Sequence, residues 1–139
     1  MHPGYTILDH PADLGIEARG KTIAEAFEQS STALVSIILD TSTIDLREER
    51  MLSISASDID HLLVRWLTEV LYLYDGLHFA PRDFRITDIS QSHLSAIIRG
   101  EDFLPGKHRT KLDVKAVTYH QLSVSKMEDG VVVRVFLDI

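Results

Sequence analysis

The sequence predicts a two-layer α+β fold, in which two helices pack on one face of a mixed or mainly antiparallel β-sheet. Two segments repeat apolar residues at intervals of three and four, as amphipathic helices do. Several short segments alternate apolar and polar residues, as half-buried strands do. Hairpin-like turns separate the strands in the second half of the chain, which favours antiparallel pairing.

The chain begins with two predicted strands, at residues 5–8 and 14–19, on either side of a polar turn. The first helix follows, and a capping box at Thr22 and Glu25 begins it. In this motif the Thr22 hydroxyl accepts from the Glu25 N–H, while the Glu25 carboxylate reaches back to the Thr22 N–H. We expect this helix to end near Leu39, before a loop-like composition.

A third strand is predicted at residues 47–56, and a second helix follows it. The apolar stripe of this helix is the clearest in the chain and covers residues 59–74. Gly76 is the natural left-handed residue for ending it. In the first helix, Ser30 interrupts the corresponding stripe.

The rest of the chain reads as strands. Residues 84–89 and 94–99 are predicted to pair through a turn, and residues 100–109 form a loop with a Pro-Gly pair. A long strand at 114–126 and a last one at 131–137 flank a Glu-Asp-Gly connector.

Composition limits the function. The chain has 139 residues, which fits one domain at 1–139, and 45% of them are hydrophobic. The formal net charge of −7 argues against primary binding to nucleic acid and fits a cation site or a basic protein partner. The sequence contains no cysteine, which excludes disulfides, thiolate zinc sites and cysteine nucleophiles. It shows neither a signal peptide nor an apolar run of membrane-spanning length, so we expect a cytoplasmic protein.

The polar turn between the first two strands is Asp9-His10-Pro11-Ala12-Asp13. Two carboxylates and an imidazole in five residues permit three interpretations. They form an Asx-type turn that satisfies its own backbone, an oxygen site for a hard cation, or a carboxylate–imidazole pair for acid–base chemistry.

The other end of the chain carries further carboxylates. Asp138 and the terminal carboxylate of Ile139 follow a strongly apolar strand that should hold them in place. Placed beside Asp13, they would gather three negative groups, which calls for a cation.

The segment 115–120 has the sequence Lys-Ala-Val-Thr-Tyr-His. On a strand, Lys115, Val117 and Tyr119 share one face. Composition alone favours an ordinary strand with a solvated lysine over a catalytic lysine.

Five stretches taken in order resemble the archease family over nearly the full length of the chain. Residues 9–16 are similar to the family's D-H-T-A-D-x-G-I, and 21–27 are like G-x-T-L-E-E-A-F. The others are 62–67, 115–120 and the terminal Asp-Ile. Pro11 stands where the family usually has Thr, which removes a hydroxyl and a backbone donor from the turn.

The resemblance implies a non-catalytic accessory protein of an RtcB-type RNA ligase, acting in tRNA splicing and RNA repair by assisting ligase guanylylation and multiple turnover. It implies a divalent metal, calcium, bound by Asp13, Asp138 and the terminal carboxylate of Ile139. It also assigns partner or activation roles to Lys115 and His10. RNA would be contacted only indirectly.

Two alternatives stay open. One is a chaperone or specificity modulator of a tRNA-modifying enzyme such as a tRNA cytosine-5 methyltransferase, also suggested by the resemblance. It predicts methylase binding without any effect on a ligase. The other is a metal-dependent hydrolase, which predicts turnover by the isolated protein. It ranks last because the sequence contains no nucleophile–base pair.

Overall fold

A computed structural model describes residues 1–9 and 13–139. It confirms the α+β class, with two helices and antiparallel strands, and refines how the strands are arranged. The described elements, in chain order, are β1 (Gly4–Asp9), β2 (Asp13–Gly20), α1 (Ile23–Ile38), β3 (Glu48–Ser55), α2 (Ile59–Asp75), β4 (Phe79–Ile89), β5 (His93–Asp102), β6 (Ala116–Met127) and β7 (Gly130–Asp138). One short 3₁₀ turn, Thr41–Thr43, lies between α1 and β3.

The strands form two antiparallel sheets. The first has the order β1-β2-β7-β6 and the second has the order β3-β5-β4. Each helix packs against strands of both sheets: α1 contacts β2, β7 and β4, whereas α2 contacts β6, β3 and β4. The apolar core therefore joins the inner faces of both sheets through the helices.

The first helix begins as its sequence predicts, with one difference in its cap. The Thr22 hydroxyl accepts from the Glu25 N–H at 3.1 Å. The Glu25 carboxylate, however, accepts from the N–H of Lys21 at 2.9 Å instead of that of Thr22. The buried Ser30 hydroxyl donates to the Phe27 carbonyl at 2.7 Å, so this polar residue enters the core without an unsatisfied group.

The end of α2 differs from the prediction. Gly76 caps the helix with an ordinary right-handed φ of −93°, and the left-handed residue is His78, with a φ of 54°. A glycine is still needed at position 76, because a Cβ there would collide with the ring of Tyr72. The close approach of the Tyr72 ring, and not a left-handed backbone conformation, therefore explains why residue 76 is a glycine.

Among the described residues, no helix has the length and apolar composition needed to cross a membrane.

Candidate functional site

One end of the first sheet brings distant parts of the chain together. Asp13, the first residue of β2, lies directly opposite Asp138, the last residue of β7. On the other side of β7, Ala116 lies opposite Asp138. The backbone N–H of Lys115 donates to the Asp138 carbonyl at 2.8 Å. This end, which we call the carboxylate end, therefore gathers Asp13, Lys115 and Asp138.

Strand register places the two aspartates on the same face of the sheet. Their neighbours Leu14 and Leu137 also lie opposite each other and are buried on the inner face. Because side chains alternate along a strand, Asp13 and Asp138 project from the outer face. Directly opposed residues have Cβ atoms about 4.5–5.5 Å apart, and like charges at that spacing are destabilising.

The third predicted donor is the main-chain carboxylate of Ile139. Ile139 follows Asp138 without an intervening residue and is exposed. Among residues 1–9 and 13–139, no three His, Cys, Asp or Glu side chains are grouped as metal ligands usually are. The predicted donor set differs from such a group, because it has only two side chains, and its third donor is a main-chain carboxylate. All three are oxygen donors, the kind that hard divalent cations prefer.

Lys115 lies at the entrance to β6 and is exposed. Its backbone is fixed by the bond to Asp138, which places a lysine next to the acidic pair in space. The structure shows no ion pair or side-chain hydrogen bond between the Lys115 ammonium group and the other described residues.

His10, Pro11 and Ala12 lie outside the described residues. The assignment of a partner or activation role to His10 therefore stays a prediction. The backbone of Asp9 ends β1 opposite Leu14.

A buried aromatic ring supports the carboxylate end, and sequence reasoning missed it. Phe136 lies on the outer face, opposite Gly15, yet it is only 1% exposed. A Cβ on Gly15 would lie 2.8 Å from the Phe136 ring, so the ring covers the glycine. The signal was present in the sequence, since Phe136 falls at a position where alternation predicts a polar residue.

Thr118 and His120 hold this ring from the side of β6. The Thr118 hydroxyl donates to the Phe136 carbonyl at 3.0 Å and accepts from the His120 N–H at 3.2 Å. The His120 ring packs edge-on to Phe136, with centroids 5.9 Å apart. Gly15, Thr118, His120 and Phe136 thus form a packed floor that begins two residues along the strands from the aspartates.

A second polar cluster is buried around Glu101 and His108. The side chain of His108 is 0% exposed, and its Nδ1 accepts from the N–H of Leu104 at 2.9 Å. Its Nε2 must therefore carry the proton and donate to Glu101 at 2.9 Å. With both ring nitrogens occupied, His108 holds the 103–108 loop against β5 and is not available as a base.

Glu101 is the centre of that cluster. Its carboxylate accepts from the Asp45 N–H at 2.8 Å and lies 2.8 Å from the Lys107 ammonium. The Asp45 N–H, then Lys107 and His108, lower the pKa of Glu101 to about 2. The cluster is a structural ion network that joins two loops.

The structure is that of a small α+β protein in which β2 and β7 bring Asp13 and Asp138 together beside Lys115. The family described as the Archease protein family (MTH1598/TM1083) matches residues 5–139. The chain therefore belongs to the archease family.

Individual relatives agree with this assignment. The chain is 34% identical to "Protein archease" of Methanosarcina acetivorans, covering 97% of this chain and 95% of that protein. It is 38% identical to "Protein archease" of Pyrococcus furiosus, covering 88% of each chain. The solution structure of protein 1598 of Methanobacterium thermoautotrophicum superimposes with a TM-score of 0.81 at 31% identity, covering 98% of this chain and 99% of that one. Family membership supports the class of function implied by the sequence, an accessory protein.

Proposed function

We propose that this protein is a non-catalytic accessory factor of an RtcB-type RNA ligase, which promotes ligase guanylylation and multiple turnover in tRNA splicing and RNA repair through a divalent metal. The observation that carries the proposal is the direct pairing of Asp13 with Asp138, next to Lys115, in a chain that belongs to the archease family.

The donor set fits a hard cation. Asp13, Asp138 and the terminal carboxylate of Ile139 would hold the metal, which we propose to be Ca²⁺. Calcium takes about six to eight oxygens, whereas three carboxylates supply about three to six according to denticity. Water or groups from the partner complete the shell. The metal supplies positive charge that offsets the repulsion between the carboxylates.

Because three carboxylates would leave part of the coordination shell of calcium unfilled, the site could accept further ligands from another molecule. We propose that the carboxylate end is presented to the ligase active site, where nucleotide phosphates or ligase side chains complete it. Lys115 then contacts a phosphate or a ligase carboxylate as a point charge. In this proposal His10 also takes part in activating the ligase.

The net charge is consistent with a protein partner. A charge of −7 disfavours direct contact with RNA phosphates but complements a basic RNA-binding enzyme. RNA is therefore contacted only through the ligase.

Ligase guanylylation with purified components tests this proposal. Asp13→Ala, Lys115→Ala and a one-residue extension after Ile139 should each reduce the stimulation of guanylylation, because each removes or displaces a charge at the carboxylate end. Lys126→Ala is the matched control, since Lys126 is an exposed lysine near the opposite end of β6. Full stimulation by all three altered proteins contradicts the proposal. Binding of a tRNA cytosine-5 methyltransferase, without any effect on the ligase, would favour the modulator alternative instead.

A further inference from the structure

The free edge of β1 is the least protected edge among the described strands. Each sheet ends in two edge strands, which are β1 and β6 in the first sheet and β3 and β4 in the second. The outward backbone groups of an edge strand can pair with a further strand, so proteins usually protect such edges with charges, prolines or bulges.

The other three edges carry such protection. β3 begins with three charged residues at 48–50. β4 contains Pro81, and its register against β5 shifts twice. The register of β6 against β7 shifts between Thr118 and Ser123. A bulge breaks the regular row of donors and acceptors, so none of these three edges is a good template for a further strand.

β1, in contrast, is regular and carries no charge before its last residue. It pairs with β2 from Gly4 to Asp9 without a shift of register, and residues 4–8 have the sequence Gly-Tyr-Thr-Ile-Leu. An antiparallel pair uses the N–H and C=O groups of every second residue, so the alternate residues of β1 direct theirs away from β2. Pro3 has no N–H and ends this row of donors.

The side chains of β1 leave apolar surface at the same edge. Tyr5 lies opposite Ala18, and Ile7 lies opposite Ile16. Both of these β2 residues are buried, so Tyr5 and Ile7 point to the inner face of the sheet. They are nevertheless 36% and 37% exposed. A further strand with apolar residues at the same spacing would cover them.

β1 itself has the spacing that its free edge requires. When two copies of β1 run antiparallel with Thr6 opposite Thr6, Tyr5 of each copy lies opposite Ile7 of the other. Gly4 lies opposite Leu8 in the same register. Opposed side chains share a face, so both apolar pairs fall on the inner face and the threonines on the outer one. Pairs of an aromatic with a β-branched residue, and pairs of threonines, stabilise sheets.

We propose that two copies of this protein associate through β1, in antiparallel register about Thr6, so that their first sheets join into one continuous sheet. Residues 4–8 carry no charge that would select a foreign segment, whereas the two-fold register matches their apolar and hydroxyl side chains to one another. So short a strand forms a small interface, and the association is therefore weak and depends on protein concentration.

The antiparallel arrangement leaves both carboxylate ends free. β1 ends at Asp9, opposite Leu14, which follows Asp13 at the start of β2. The last residue of β1 therefore lies at the carboxylate end, and two antiparallel copies place these ends on opposite sides of the joined sheet. Each copy can still present its carboxylate end to another molecule, so the inference is independent of the proposed function.

Cysteine crosslinking tests the register, because the sequence contains no cysteine of its own. In the proposed dimer the Cα atoms of the two Thr6 residues are about 4.5–5.5 Å apart, which a disulfide can span. Oxidation of Thr6→Cys with copper phenanthroline should therefore give a covalent dimer. Thr87→Cys is the matched control, since Thr87 is exposed on the edge strand β4, where the register shifts. Equal crosslinking of the two variants, or none in Thr6→Cys, overturns the proposal.

Sedimentation equilibrium measures the association without a crosslink. The wild type should form a reversible dimer. Thr6→Lys should weaken it roughly 5-fold or more, because two lysines would then lie directly opposite each other. Thr87→Lys should associate as the wild type does, and circular dichroism checks that each variant is folded.

Two results of this measurement contradict pairing through β1. One is a wild type that stays monomeric up to millimolar concentration. The other is a dimer that Thr6→Lys leaves unchanged. A monomeric wild type whose binding to the ligase is weakened by Thr6→Lys would assign the free edge to the ligase instead.

Discussion

At the scale of single residues, a packed floor lies beside the pairing of Asp13 with Asp138. The two aspartates come from opposite ends of the chain, and the next residue pair on the same face of the sheet is Gly15 with Phe136. The Phe136 ring lies over Gly15 because the glycine has no side chain to exclude it. A larger residue at position 15 would therefore press against the Phe136 ring on the face from which the aspartates project.

Gly15→Ala should destabilise the protein by about 1–3 kcal/mol, because the added Cβ forces the Phe136 ring and the side chain of Leu8 to move. Chemical denaturation gives the free energy of unfolding. Gly106→Ala is the matched control, since no atom lies within 4 Å of its added Cβ. A Gly15→Ala variant as stable as the Gly106→Ala variant would contradict the packed floor.

The residues of the candidate site differ in how far the sequence pointed to them. Asp13 and Asp138 stood out because charged residues flank apolar strands at both ends of the chain. Thr118 and Phe136 did not, because their importance comes from contact between β6 and β7 and from a glycine on a third strand. Local sequence shows only that Phe136 is apolar where alternation predicts a polar residue, and it does not show which residues cover the ring.

At the scale of elements, local sequence patterns predicted where the helices begin and where most strands lie. They failed where tertiary contacts determine the secondary structure. β4 begins at Phe79, five residues before the predicted strand at residue 84. Pro81 concealed this extension, because proline is unfavourable within a strand. The structure accommodates it on the edge strand of the second sheet, with a shift of register just after it.

The Glu101 network gives a pH prediction for the loop that follows β5. The pKa of Glu101 is lower in the folded protein than its ordinary value of 4.5. Its ionised form therefore stabilises the fold above pH 4.5, and this contribution is lost as the pH falls toward about 2. Glu101→Gln should be less stable than the wild type at neutral pH, and the difference should shrink as the pH falls from about 4.5 to about 2.

Thermal unfolding of the wild type and of Glu101→Gln from pH 2 to pH 7 measures this difference in stability. The titration of the carboxyl groups that both proteins share cancels in the difference. Glu49→Gln serves as the control, since Glu49 makes an exposed ion pair with Arg99 and should matter little at any pH. A gap between wild type and Glu101→Gln that stays constant down to pH 2 would show that the charge of Glu101 does not hold the loop.

At the scale of the whole molecule, the division of the strands between two sheets could not be predicted from the sequence. Three sequential hairpins, β1–β2, β4–β5 and β6–β7, join strands that are neighbours along the chain, and adjacency favours such pairs. The pairings of β2 with β7 and of β3 with β5 join strands separated by whole helices. These long-range pairings divide the strands between two sheets, and the first of them assembles the carboxylate end.

The pairing of β2 with β7 assembles the carboxylate end, so this end exists only in the folded chain. In the unfolded chain, Asp13 is more than a hundred residues from Asp138 and the terminal carboxylate. A cation that needs all three groups binds only the folded protein, so it should also raise the melting temperature.

Calorimetric titration with CaCl₂ tests the central claim, that these carboxylates act together as a metal site. The account predicts one Ca²⁺ site in the wild-type protein. It predicts an affinity at least about tenfold weaker in Asp138→Asn, because one charged ligand is lost. Asp88→Asn, which removes an exposed aspartate from β4, should bind as the wild type does. Equal Ca²⁺ affinity in the wild type and Asp138→Asn, or no binding by the wild type, would contradict the account.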